Sequence, residues 1–197
     1  MTRRLLLASA LLVTALGAAC SDAPVTAPHA ADLPFESRRN VVTSVSTQGD
    51  TTVTTMIVDA RSTASIPLGN FAKIQFPSGS GSICDLATSS YGVGTWDSRC
   101  TPSATPVTIR AKSWTNAQGE VEVDFQPAMR FVPGLKSKVT LSLKATTARV
   151  RIDFRTANGS LVNEAQTDAS VKTSVNTSTN WATRVVKHFS GYTITAD

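Results

Sequence analysis

From Val41 onward the chain alternates apolar and polar residues two by two, in short runs separated by turn-forming residues. A period of two puts successive side chains on opposite faces of an extended strand, one for a core and one for water. Val107, Ile109 and Ala111 alternate with Thr108, Arg110 and Lys112, and Val121, Val123 and Phe125 with Glu122 and Asp124. Val139, Leu141 and Leu143 alternate with Lys138, Thr140, Ser142 and Lys144. Val150, Ile152 and Phe154 alternate with Arg149, Arg151, Asp153 and Arg155. Gln48-Gly49-Asp50, Asn116-Ala117-Gln118-Gly119 and Asn158-Gly159 supply the turns of three hairpins. No run of about ten residues or more keeps a helical period beyond Val41. The pattern predicts an all-β chain, a single antiparallel β-sandwich of immunoglobulin-like kind over residues 41–197.

The remaining strands are read from Val, Thr and aromatic content. Val41 to Thr47 pairs with Thr51 to Asp59, and Phe71 to Phe76 stops at Pro77. Leu161 and Val162 open a return strand, and the tail from Trp181 to Ala196 reads as strand broken at Gly191. In the hairpin around Asn116, placing Lys112 opposite Glu122 and Arg110 opposite Asp124 keeps both apolar sets on one face. Each such charge pair contributes about 0.2–1 kcal/mol.

The first forty residues follow different rules. Arg3 and Arg4 precede the apolar run from Leu5 to Leu16, and Leu16-Gly17-Ala18-Ala19 leads into Cys20. The apolar run has the length of a signal h-region and is too short to span a bilayer. Residues 1–19 therefore read as a bacterial lipoprotein signal peptide, with Cys20 as the residue that accepts lipid. Residues 20–40 are rich in Ala and Pro, a flexible tether that also carries His29. The expected location is the bacterial cell envelope, lipid-anchored, and Ser21 favours the outer membrane. Removing the signal takes Arg3 and Arg4 with it and lowers the formal net charge from +5 to +3. That mild bias argues against a nucleic-acid partner.

With Cys20 committed to lipid, Cys84 and Cys100 remain as a pair, and an oxidising envelope makes them a disulfide. Closing that loop is worth about 3 kcal/mol in the chain-entropy model. Two sulfurs and two scattered histidines do not make a zinc site, and no cofactor is expected.

Two stretches together resemble a known module. Phe125-Gln126-Pro127-Ala128-Met129-Arg130-Phe131-Val132-Pro133 precedes the strand from Val139 to Leu143, and His188-Phe189-Ser190-Gly191-Tyr192 comes late in the chain. They resemble the ZU-five module, the β-sandwich of ankyrins and netrin receptors with relatives in bacterial envelope proteins. There a turn of this kind feeds a strand, and an HFS-x-Y segment forms a late strand. Ile74-Gln75-Phe76-Pro77 matches the earlier strand-then-proline feature. The glycine pair usual before the first strand is missing, and residues 78–106 form an insertion that carries Cys84 and Cys100. The resemblance implies a ZU-five-like sandwich and a non-catalytic interaction module, and it names no partner.

The loop between the two cysteines holds Asp85, Tyr91, Trp96 and Asp97. With Trp114, the rings of Tyr91 and Trp96 are the candidate ligand-binding residues, as a platform for sugar or peptide. Against this stands the simpler expectation that they fold back over an open sandwich end. Two carboxylates are too few for calcium. Lys138, Lys144, Arg149, Arg151 and Arg155 occupy outward strand positions and form a candidate basic patch for an anionic envelope polymer. A solvated sheet face explains them as well.

His188 and Ser190 lie two apart on one strand, too far apart on that spacing for a base–nucleophile pair. No nucleophile-elbow, zinc-protease, P-loop or nucleotide-binding pattern occurs. The expected function is a non-catalytic, lipid-anchored structural or protein-interaction module. The alternative is a lipoprotein that binds carbohydrate or an anionic envelope polymer through the loop aromatics. The expected partners are the membrane, through the lipid, and an envelope protein or polysaccharide.

Overall fold

The structure, a computed structural model, describes residues 40–60, 62–77, 83–135, 138–145, 147 and 149–197. Cys20, His29 and the proposed signal and tether up to residue 39 lie outside the described residues, as does the Gly/Ser stretch 78–82.

Among the described residues twelve strands form: β1 Val41–Gln48, β2 Thr51–Val58, β3 Ala64–Leu68, β4 Ala72–Phe76, β5 Val107–Thr115, β6 Val121–Arg130, β7 Thr140–Lys144, β8 Val150–Arg155, β9 Leu161–Val162, β10 Ser174–Asn176, β11 Trp181–Val185 and β12 His188–Ala196. They build a seven-stranded sheet in the order β1-β2-β5-β6-β12-β8-β9 and a five-stranded sheet in the order β10-β11-β7-β4-β3, with every pairing antiparallel. The sheets pack face to face, as the alternation requires. Phe76, Ile109, Val123, Phe125, Leu141, Leu143, Ile152, Phe189 and Tyr192 fill one continuous core between them. Burying a side chain of this size contributes about 1.5–3 kcal/mol.

Several sequence expectations need correcting. The β5–β6 hairpin is shifted by two residues: Lys112 lies opposite Asp124, Arg110 opposite Gln126, and Trp114 opposite Glu122. The strands run closer to the turn than alternation implied, with Thr115 opposite Val121 and the Asn116 N–H bonded to the Glu120 carbonyl. A slip of two leaves each side chain on its face, which is why the apolar pattern could not set the register.

Gly191 does not break the tail. The chain leaves β11 at Val185, crosses between sheets at Val186 and Lys187, and β12 continues through Gly191 without ending. A Cβ at Gly191 would sit 3.1 Å from both the Cβ and Nε of Arg155, so glycine is there because Arg155 lies across the strand. A second close approach explains Gly69, which has φ +73° in the β3–β4 turn and would put a Cβ 2.7 Å from Thr52 Oγ1. Asn40, read as the end of the tether, is fastened: its side chain accepts from the Asp59 N–H at 2.7 Å and donates to the Ser62 carbonyl at 2.9 Å.

The five basic candidates do not make one patch. Lys144 belongs to the five-stranded sheet and Lys138 leads into that strand, while Arg151 and Arg155 lie on β8 of the seven-stranded sheet and Arg149 precedes it. Outward side chains of two packed sheets point in opposite directions. Most of these cations are also engaged. Arg151 bonds Asp153 at 2.9 Å and Asp197 at 3.3 Å, and Lys144 Nζ lies 5.5 Å from the Trp181 ring.

Candidate functional site

The connection from β4 to β5 crosses from one sheet to the other and carries both remaining cysteines. Cys84 and Cys100 form the disulfide expected of the remaining cysteine pair, with Cα atoms 5.7 Å apart. Residues 83–102 contain no named strand, only isolated bridges from Ile83 to Phe131 and from Cys84 to Pro102. Side chains hold the rest. Arg130, buried near the end of β6, donates to the carbonyls of Ser90 at 2.9 Å, Arg99 at 3.3 Å and Ser98. Lys187 clamps Asp97 at 2.7 Å and also meets Asp168. Asp85 accepts from the backbone N–H groups of Ala87 and Thr88, so this acid is a turn-former.

The three aromatic candidates are not gathered into one platform. Trp96 folds back and stacks on His188, with ring centroids 3.9 Å apart. Tyr91 meets Trp96 edge-on at 4.9 Å and donates its hydroxyl to the Phe189 carbonyl at 3.1 Å. Burial pushes the Tyr91 phenol up to about 12, so it stays protonated at any ordinary pH. Trp114 lies away from the loop on the outer face of the seven-stranded sheet, with Lys112 at 4.8 Å and Arg155 at 5.1 Å from its ring. What the loop turns outward is mostly aliphatic: Leu86 is 45% exposed, Tyr91 38% and Val93 74%.

Beneath the loop lies a polar chain that sequence spacing did not reveal. Ser190 Oγ is 3.3 Å from His188 Nδ1, correcting the expectation that two residues on one strand stay out of reach. The contact forms beside a bulge, where the β12–β6 register shifts between Phe189 and Gly191. His188 Nε2 lies 2.9 Å from Glu164 Oε1, and Glu164 Oε2 accepts from Arg184 at 2.6 Å. Arg184 also donates to the Ile152 carbonyl at 2.7 Å.

Burial drives the His188 pKa below its ordinary value despite Glu164, so the ring is neutral near pH 7. Burial alone would raise the Glu164 carboxyl, but the hydrogen bond from His188 and the Arg184 charge together hold it below the usual range. The consistent arrangement is Nε2–H donating to Glu164 while Nδ1 accepts from Ser190, since the Tyr192 hydroxyl donates to the His188 carbonyl at 2.7 Å. Glu164 was not singled out by any motif. It lies in a short 3-10 turn, Glu164–Gln166, placed far from His188 in sequence.

Two clefts flank this chain. One, about 350 Å³, is lined by Val93, Trp96, Asp97, Glu164, Asp168 and Lys187 among others. The second, about 390 Å³, lies on the other side, between Tyr91 of the loop, the middle of β6, the β8–β9 turn and Ser190. Among the described residues no group of three or more His, Cys, Asp or Glu side chains is placed to hold a metal ion. No known family model, no curated protein and no solved structure matches this chain.

Proposed function

We propose that the chain is a lipid-anchored, extracytoplasmic interaction module of the bacterial envelope that acts by binding, with the outer side of the disulfide loop as its contact surface for a protein. The observation that carries this reading is the contrast within residues 83–102. Disulfide, Arg130 and Lys187 fix the backbone from below while Leu86, Tyr91 and Val93 face solvent. A loop already held in one conformation loses little freedom when it binds, and exposed apolar side chains on such a loop supply affinity. Anchorage at Cys20, location at the outer membrane and kinship with the ZU-five module are parts of the same proposal, supported by the residues quoted for them.

Binding is favoured over catalysis by the state of His188. It has no exposed surface, with Trp96 stacked on one face and Phe154 edge-on at 4.7 Å, so it has no path to hand a proton to a leaving group. The test is site-specific photo-crosslinking in intact cells, with a crosslinking residue at Val93, Leu86 or, as control, Val45. One protein captured from Val93 and Leu86 but not from Val45, and lost in Cys84→Ser/Cys100→Ser, supports the reading. Equal capture at all three positions, or none, overturns it. Mass spectrometry of the mature N-terminus checks the anchor: an unacylated Cys20 refutes it.

A second reading, carbohydrate binding, is favoured by one observation: Tyr91 lines a cleft that combines apolar residues with the polar side chains of Asp124, Gln126, Thr156 and Ser190. Its anionic-polymer form lacks support, because the basic residues divide between the two outer faces.

A further inference from the structure

We infer that the 390 Å³ cleft beside Tyr91 is a subsite for an uncharged sugar unit, with Tyr91, Asp124, Gln126, Thr156 and Ser190 as its binding residues. The inference rests on the carbohydrate reading above and specifies its site and its charge preference.

The lining groups have complementary roles. Tyr91 has committed its hydroxyl to the Phe189 carbonyl, so what it offers is its ring. An aromatic face suits the C–H face of a pyranose. Ser190 points its proton at His188 Nδ1, and Thr156 donates to the Ser160 carbonyl at 2.9 Å. Both hydroxyls are thereby left as acceptors. Asp124 is a further acceptor, bonded at 3.4 Å to Gln126, whose amide can both donate and accept. A ligand that suits such a lining carries several hydroxyl donors around an apolar face, and the volume admits one or two rings.

Charge decides between sugar classes. Arg155 is the cation among the residues lining the cleft, and its head is already engaged by Glu122 at 3.3 Å and by the Trp114 ring. Gly191 permits this by leaving room for the Arg155 stem to lie across β12. An acidic sugar would meet the Asp124 carboxylate with no unengaged cation among the residues lining the cleft. Lys112, opposite Asp124 on β5, holds its ammonium over the Trp114 ring at 4.8 Å, and neither it nor Arg110 lines the cleft. A neutral sugar meets no such repulsion.

The test uses the full chain in detergent with cellobiose, maltose and chitobiose, each set against glucuronic acid and glucose 6-phosphate. Saturation-transfer NMR and calorimetry report binding. The expected result is binding of at least one neutral disaccharide at about millimolar concentration, weakened roughly tenfold or more by Asp124→Ala and by Gln126→Ala. Both side chains point outward from β6, so thermal unfolding should stay unchanged in these variants, and Tyr91→Ala serves as a third. Binding by the acidic sugars alone overturns the neutral subsite and leaves the carbohydrate reading standing. No binding by any sugar overturns both. Binding that survives all three substitutions overturns the location.

Discussion

Strand β1 and the disulfide loop carry opposite kinds of order. β1 is a strand paired with β2 on both sides of a bulge at Thr43, yet all eight of its residues are exposed because the five-stranded sheet does not reach over it. The loop has almost no ladder hydrogen bonds, yet Trp96 packs against the core and Arg130 ties three of its carbonyls. Strand pairing therefore does not by itself mark the firmly held region here. Order in the loop comes from a few long-range ties, and order in β1 from one neighbouring strand.

Breaking those ties should separate the two regions. The largest effect is expected from Glu164→Leu, which leaves Arg184 buried with no carboxylate and removes the acceptor of His188, beneath Trp96. Stranding a buried charge costs about 3–5 kcal/mol. Urea unfolding should show that loss, while Glu164→Gln, which keeps one of the two acceptor oxygens and the shape of the side chain, should show less of it.

Next comes the loop itself. Cys84→Ser with Cys100→Ser should cost about 3 kcal/mol. Arg130→Leu should cost about 2 kcal/mol by leaving carbonyls of Ser90, Ser98 and Arg99 without their donor. Because both hold the same backbone, the triple variant should depart from additivity. Hydrogen exchange should rise in residues 85–99 and stay unchanged in β1. A uniform rise across both regions would show that the loop is not a separate unit.

Acid should act on the same side of the comparison. The His188 pKa is lowered in the fold by burial, so below its ordinary value of about 6.5 the unfolded chain takes up a proton that the folded chain refuses, and stability falls. Glu164 is also lowered, so its contribution is present above its ordinary value and is lost as pH falls further. Burial opposes the shift of Asp168, but bonds from Lys187 and Ser170 prevail and bring it to about 2, so its contribution fades last, below its ordinary 3.8. Stability measured from pH 7 down to 3 should decline in that order. In His188→Gln the first part of the decline, between about pH 6.5 and 5, should disappear.

The smallest effect belongs to β1. Val45 is 59% exposed and Val45→Lys should change stability by less than about 0.5 kcal/mol. The same substitution charges an uncharged edge strand, so it should also reduce any tendency of the chain to aggregate, as light scattering would record. A large loss of stability would mean that β1 is covered by a partner that the single chain does not show.

Most strands were legible because alternation is a local signal: Ile109, Ala111, Val123, Phe125 and Ile152 all point inward as read. Two strands were not. Ala64–Leu68 contains Pro67, tolerated because β3 is a sheet edge, and Ser174–Asn176 is too short to show a period. The register around Asn116 was missed because a slip of two leaves the faces unchanged. The site was legible in its parts, the cysteine pair and the aromatics, and not in its assembly. Glu164 reaches His188 only because β11, β12 and the chain between β9 and β10 are folded together.

The sequence by itself determined the sandwich and the pairing of Cys84 with Cys100, since hydrophobic periodicity and cysteine count do not depend on distant contacts. Tertiary structure alone decided which sheet each strand joined, and so that the five basic residues divide between opposite faces. It also decided that Trp96 turns inward to His188 while Val93 turns outward. Such choices depend on which surfaces meet across the core, and alternation carries no information about that.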